Sequence, residues 1–433
     1  ILSGNASHTD RSAVSDHLDP RFTVGFALDL ELIKKEVLSS LLSLSIGAPE
    51  YRIHYDLCNQ TLANGGSGLQ DMTEVAQSAY VASVIYFQTN IVNIPLVEYV
   101  KPLSFWMEFI DAAKPFMSDT SESFDALLAL KHDKTLGSVQ HQLSLILANR
   151  RVERVTSELR SGSVSERSHL KWFLHLRNAA AGKWLECLPT QPGFSLTSNE
   201  FRVALQLRMF LPVAGFIPGT HCNCTFNNRH PPLDELGHHL AHNCPKRKTA
   251  GNTHDEVKIT LVELMKYCGY NCRLEPAFFF TDCDKRPDIV DLHEVGHCRG
   301  TAYDLTCCTT LKRTALPQGS LKPPKRCELL LSGEGCGASS TAGNKEKVKK
   351  YKDICEQERF SFKALTFESS GFIDSDFLAL LKRMAASCSD VKKIPHDTLY
   401  NYFLKKISMK IQGTLARNVI GSSFILSGNA SHT

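Results

Sequence analysis

The sequence predicts a multidomain chain: a mostly α-helical N-terminal half, a small cysteine- and histidine-rich module, then an α/β core with a mixed sheet flanked by helices. Three observations predict it. Apolar residues recur at helical spacing from about residue 20 to 215. Cysteines and histidines crowd together between residues 221 and 244. Beyond residue 250, helical patterns alternate with short β-rich runs bounded by turn residues.

In FALDLELIKKEVLSSLLSL, Leu28, Leu32, Val37 and Leu41 are expected to share an apolar stripe. After the glycine-rich GGSGL, a small-residue helix is expected over EVAQSAYVASVIYF, with Ala76, Ala79, Tyr80 and Ile85 as its buried face. Helical patterning continues through FWMEFIDAAKPFM, FDALLALKH, LKWFLHLRNAAAGKWL and NEFRVALQLRMFL, the last capped by Ser198 or Asn199. From residue 217 the chain becomes loop-rich. A helix is then expected from Asp255 to Tyr267, with Val257, Leu261 and Leu264 on one face. CRLEPAFFF, RPDIVDL and TAYDLTCCTTL read as strands, residues 315–343 as a loop, about 344–357 as a lysine-rich helix, SFKALTFESS as a strand and DFLALLKRMAA as a helix. The resulting order is α-β-β-β-α-β-α.

The chain has 433 residues, 42% of them hydrophobic and 22% charged, with a net charge of only +4. Nucleic-acid binding would therefore rest on local patches and not on a polybasic coat. No apolar run reaches the roughly 18 residues of a transmembrane helix, so no membrane partner is expected, and no signal-peptide pattern opens the chain. Fifteen cysteines without an even framework suggest a reducing compartment in which a metal uses some of the thiols. ILSGNASHT occurs at residues 1–9 and again at 425–433. A single distant identity is no structural repeat; it is expected to reflect a tandem or circular template or an assembly overlap, which leaves the true termini open.

Cys222-x-Cys224 followed by His239-x4-Cys244 offers three thiols and an imidazole, a ligand set suited to structural tetrahedral zinc. His221, His230, His238 and His242 lie close by; His239 has the best knuckle spacing to Cys244. Lys246, Arg247 and Lys248 follow, where they could touch phosphates.

Downstream, Glu275, Asp288, Asp304, Lys347 and Tyr351 line up. Strand alternation puts Tyr303, Leu305 and Cys307 on one face, with Asp304 and Thr306 on the other. Carboxylates held about 4 Å apart repel unless a cation lies between them, and magnesium favours such oxygen ligands. A lysine nearby would orient a water or balance phosphate charge. Lys347 and Tyr351 are four apart and share a helix face.

HCNC…HHLAHNC…THDEV…LEP…KRPDIV…YDLTCCTTL…KVKKY…LTFESSG resembles the C-terminal region of non-LTR retrotransposon reverse transcriptases that carry a restriction-like, PD-(D/E)xK-type endonuclease. The resemblance implies a CCHC zinc knuckle at Cys222, Cys224, His239 and Cys244, and magnesium-binding acids at Asp288 and Asp304. Arg286 matches the basic residue before PD, Lys347 and Tyr351 match a later helix pair, and Glu275 matches an acid before the PD strand. His254 resembles a histidine opening the helix after the knuckle. Upstream, Gln60, Leu62, Gly66, Gly68 and Leu69 resemble the segment after a reverse-transcriptase thumb, and AAAGKWLECLP…LTSNEFRVALQLRMFLPV resembles a helical linker. Motif specificity is highest over 222–304 and lowest before 200.

The implied organisation is a post-thumb remnant at 1–90, a helical linker at 91–215, the knuckle at 216–250, the restriction-like nuclease at 251–390 and a C-terminal helical tail at 391–433. The implied activity is a magnesium-dependent endonuclease that nicks target DNA to prime reverse transcription in the nucleus. Element RNA and the polymerase portion of the same polyprotein are its implied partners. No Tyr-x-Asp-Asp polymerase motif is present, and Thr306 stands where the simplest D-x-K pattern has lysine. Two other readings compete: a zinc-dependent nucleic-acid-binding module with an inactive nuclease fold, and a purely structural zinc fold.

Overall fold

The computed structural model describes residues 20–91, 104–117, 127–130, 137–213, 221–244, 249–308 and 338–428, apart from residues 129, 162–163, 179, 192, 223, 225–236, 238, 278, 281–283 and 295. The expected helix FDALLALKH lies mostly outside them, as do Lys246, Arg247 and Lys248. The chain forms two compact units, Ile1–Thr61 with Gly68–Glu158, and Leu62–Ser67 with Leu159–Thr433. Among the described residues, no helix is long and apolar enough to cross a membrane.

The first unit is helical: α1 (Pro20–Leu42), α2 (Arg52–Cys58), α3 (Met72–Ile91), α4 (Ser104–Ala113) and α5 (Val139–Ser161), whose last turn belongs to the second unit. Val81, Ile85, Phe109, Phe116, Leu143 and Leu147 form its core. The expected α1 stripe is displaced. Leu28, Leu32 and Val37 are exposed, whereas Ala27, Glu31, Leu38 and Leu42 are buried. The cause is Glu31, which accepts from the Tyr55 hydroxyl and the Met72 amide and pairs with Lys34 at 2.7 Å. A satisfied carboxylate fixes which face turns inward. In α3, Ala79 and Ile85 are buried as expected, Ala76 and Tyr80 only partly, and Ser78 and Val81 complete the face.

The second unit contains α6 (Val164–Leu176), α7 (Ser198–Arg208), a π-turn (His239–Asn243) and α8 (Thr249–Tyr267). Then follow β1 (Cys272–Leu274), β2 (Ile289–Asp291), β3 (Thr301–Cys308), α9 (Ala338–Gln357), β4 (Ser361–Glu368), α10 (Ser375–Lys392) and α11 (His396–Gly428). The four strands lie in sequence order; β1–β2 and β2–β3 are antiparallel and β3–β4 parallel. This reproduces the expected α-β-β-β-α-β-α order with a mixed sheet flanked by helices. One sheet face packs Ile289, Leu305 and Leu365 against Val257 and Leu261 of α8, Phe377 of α10 and Phe403 of α11. The other packs Val290 and Ala302 against Tyr351 and Cys355 of α9. Alternation along β3 explains the split, with Tyr303 and Leu305 on the first face and Ala302 on the second.

Three local expectations need correction. The cap of α7 is Thr197, not Ser198 or Asn199; its side chain accepts from the Glu200 amide while Glu200 accepts from the Thr197 amide. Helix α9 begins at Ala338, inside the segment expected to be a loop, because the Ser340 amide finds the Glu368 carboxylate and its hydroxyl meets Thr366. Helix α8 begins at Thr249, ahead of Asp255. Residues 159–213, expected as part of a linker, and 396–428, expected as a tail, both lie in the second unit, where α7 packs on α11.

Candidate metal and acidic sites

Cys222 and Cys224 come from a loop, His239 from the π-turn and Cys244 directly after it. All four are buried, and their ligand atoms lie within 4.8 Å of one another. The Cys222 and Cys244 sulfurs are 3.7 Å apart, and the Cys224 sulfur is 3.1 Å from His239 Nε2. A tetrahedral zinc with Zn–S bonds of about 2.3 Å separates its sulfurs by about 3.8 Å. Burial and the neighbouring thiols push the Cys224 thiol up to about 12. Four such groups can be held together as ligands when a cation compensates their charge. The cluster could therefore hold a metal ion such as zinc. Among the described residues, His239 is the histidine in the cluster; His230 and His238, also named from the sequence, lie outside them.

The acidic site begins with strand register. β1 pairs Leu274 with Ile289, and β2 pairs Ile289 with Tyr303. Carried one step further, the same register sets Glu275 opposite Asp288 and Asp288 opposite Asp304. The step is real on the β1 side, where the Glu275 amide donates to the Asp288 carbonyl at 2.8 Å. On the β3 side the Asp288 carboxylate itself closes the ladder, accepting from the Leu305 amide at 2.6 Å. Three acids thus form a row across the sheet. Opposed residues in antiparallel strands are about 4.5–5.5 Å apart at Cα.

Each acid meets a cation. Lys347, from α9, lies 2.6 Å from Asp304 Oδ2. His254 Nε2, from α8, lies 3.2 Å from Asp288 Oδ2, and its Nδ1 lies 3.0 Å from Asp255. Lys258, one turn later, bonds to Glu275 and to Asp255 at 3.0 Å, with Asp288 Oδ1 at 3.9 Å. Arg286 is 3.3 Å from the other Glu275 oxygen. Glu275 sits at φ +41, a left-handed backbone uncommon outside glycine. That conformation coincides with the end of β1.

The electrostatics divide the two aspartates. Burial, and next the Asp288 charge, raise Asp304 above the usual carboxylate value, against the pull of Lys347. Burial acts the same way on Asp288, but the His254 contact and the Leu305 amide outweigh it and hold that carboxyl low. Tyr351 is buried; its hydroxyl donates to the Arg286 carbonyl at 3.1 Å, and its ring stacks on Phe362. Burial, helped by the Asp304 charge, pushes its phenol up to about 12. It therefore stands beside the acids as a neutral buttress for the loop carrying Arg286, whose own side chain is exposed.

The structure thus gathers Glu275, Arg286, Asp288, Asp304, Lys347 and Tyr351 in one place. Asp255 and Lys258 were not singled out in the sequence, although both sit within one turn of His254 on α8 and Lys258 follows it at i+4, a same-face spacing. Nothing in the sequence marked the Leu305 amide, because a backbone donor becomes special only through register. No protein-family model and no curated protein matches the chain.

Proposed function

We propose that this chain is the endonuclease part of a non-LTR retrotransposon protein, with a restriction-like fold, and that it nicks target DNA in the nucleus in a magnesium-dependent reaction. The observation that carries the reading is the row Glu275–Asp288–Asp304, with Lys347 on the last acid. An αβββαβ order, with Asp288 one residue before β2 and Asp304 on β3, supports the restriction-like assignment. The Cys3His cluster supports a structural zinc, and the sequence resemblance supports the retrotransposon context, with element RNA and a polymerase portion as partners.

Asp288 and Asp304 would hold the magnesium, a hard cation suited to two carboxylates and retained waters. When bound, the ion supplies charge stabilisation at a scissile phosphodiester and lowers the pKa of a coordinated water. The protein residues position that chemistry. Asp288 is held ionised and oriented by His254 and the Leu305 amide. Lys347 can pass from Asp304 to a phosphate oxygen or an attacking water, balancing the charge that develops. Exposed Arg286 would meet the DNA backbone.

Purified chain incubated with supercoiled plasmid and magnesium is expected to give nicked product. Asp288→Ala and Asp304→Ala are each expected to lower the rate at least ~1000-fold, an effect on the scale of removing a main electrostatic contributor. The binding-module reading draws on Thr306 and on the closed Lys347–Asp304 pair. Intact plasmid from folded protein that binds DNA in a salt-sensitive way would favour that reading.

A further inference from the structure

Lys258 has no part in the mechanism above, yet it is among the most enclosed charges of the site. Its side chain is only 5% exposed. Its ammonium meets Glu275, Asp255 at 3.0 Å and Asp288 at 3.9 Å. Three carboxylates around one ammonium hold Lys258 as a fixed cation.

Its bonded partners are partly exposed, Asp255 at 60% and Glu275 at 34%, and ion pairs with solvent-exposed partners add little net stability. Structure alone gives weak reason to keep an ammonium there. The reason is legible in the geometry. Three carboxylates around one small cation is the donor set a hard divalent ion takes. The row of acids has two gaps, Glu275–Asp288 and Asp288–Asp304. In nucleases with two-ion sites, a central carboxylate bridges ions about 3.5–4 Å apart. Asp288 is that central carboxylate, and one flank of it already faces an ammonium.

We propose that Lys258 is a positioning residue that stands in for a second metal ion: it occupies the Glu275–Asp255 side of Asp288 and restricts the site to a single divalent cation between Asp288 and Asp304. The proposal rests on the metal-dependent reading above. It assigns Glu275 to holding Lys258, so Glu275 does not ligate the ion.

The test counts bound Mn2+, a spectroscopically visible substitute for magnesium, by electron paramagnetic resonance on the full chain supplied with zinc. Wild type is expected to bind one equivalent. Lys258→Gln is expected to bind two, with the second lost again in Lys258→Gln/Glu275→Gln. Lys258→Gln/Asp255→Asn removes one charge of each sign, which spares the fold if the single variant does not, and is expected to bind two as well. Two equivalents in wild type, or one in either of the folded variants Lys258→Gln and Lys258→Gln/Asp255→Asn, would overturn the stand-in. No bound Mn2+ in wild type would instead overturn the metal-dependent reading itself.

Discussion

Asp288 accepts from the Leu305 amide with the same oxygen that meets His254, so one carboxylate ties strand register to helix α8. Its pKa is held low and that of His254 is raised, burial opposing the shift in both. The sign of the consequence follows. The depressed Asp288 contributes stability above about pH 3.9, the unfolded value, and loses it as pH falls through its folded value. The raised His254 contributes below about pH 6.5 and loses it as pH climbs through its folded value. Without magnesium, His254→Gln is therefore expected to lower the urea midpoint most near pH 5, with the gap closing above neutrality. A gap unchanged from pH 5 to 9 would sink the pairing. Lys347→Met leaves Asp304 buried without its cation and is expected to cost about 2 kcal/mol in urea unfolding. At this scale the sequence singled out the residues whose chemistry is conspicuous, Asp288, Asp304, Lys347 and the four residues of the Cys3His cluster, which the structure brings into two groups. It did not reveal Lys258, because a lysine on a helix ordinarily faces water, and only the three converging acids show otherwise.

Strand and helix patterning was legible in the second unit because burial there follows plain periodicity: Val257, Leu261 and Leu264 are all buried along α8. In α1 periodicity misplaced the stripe, since hydropathy gives no weight to a buried glutamate. The elements also depend on points that only coordinates disclose. A Cβ at Gly300, where β3 begins, would lie 2.1 Å from the Asp291 carbonyl oxygen. That contact is with backbone and cannot rotate away. Gly300→Ala is expected to cost about 2–4 kcal/mol, read as a lower urea midpoint with unchanged slope; a loss under ~0.5 kcal/mol would show that β2 and β3 separate freely. The π-turn carrying His239 packs against α8 and α11. The cluster could hold a metal such as zinc, and stripping that ion with a chelator, or substituting Cys224→Ser, is thus expected to lower the melting temperature of the whole second unit and not merely loosen a loop. Calorimetry showing an unmoved main transition would contradict this.

In the second unit, α11 packs against α7, α8, α10 and the π-turn. It contributes Leu399, Phe403, Leu404, Ile407 and Ile411 to the core that holds α8 against the sheet. Phe403→Ala is expected to cost about 3–5 kcal/mol, enough to unfold a marginal domain at 37 °C, and would appear as loss of the cooperative transition. Arg208 is another constraint. Fully enclosed, it donates to the Gly66 carbonyl at 2.9 Å and the Ala181 carbonyl at 3.0 Å, and burial lowers it to about 9. The sequence placed α7 and the segment 62–67 in separate expected domains, because a bond spanning 142 positions leaves no periodic trace.

The position of α11 also sets an order in time. A ribosome delivers α7, α8 and the sheet before Phe403 through Val419 exist to cover them, and all of those α11 residues named above are buried in the finished fold. Until that stretch emerges, the nascent unit exposes an uncovered apolar face. Its completion therefore waits until the buried residues of α11 have left the ribosome, and a translation that stops short of residue 403 yields a chain for chaperones and proteases and not a smaller folded unit.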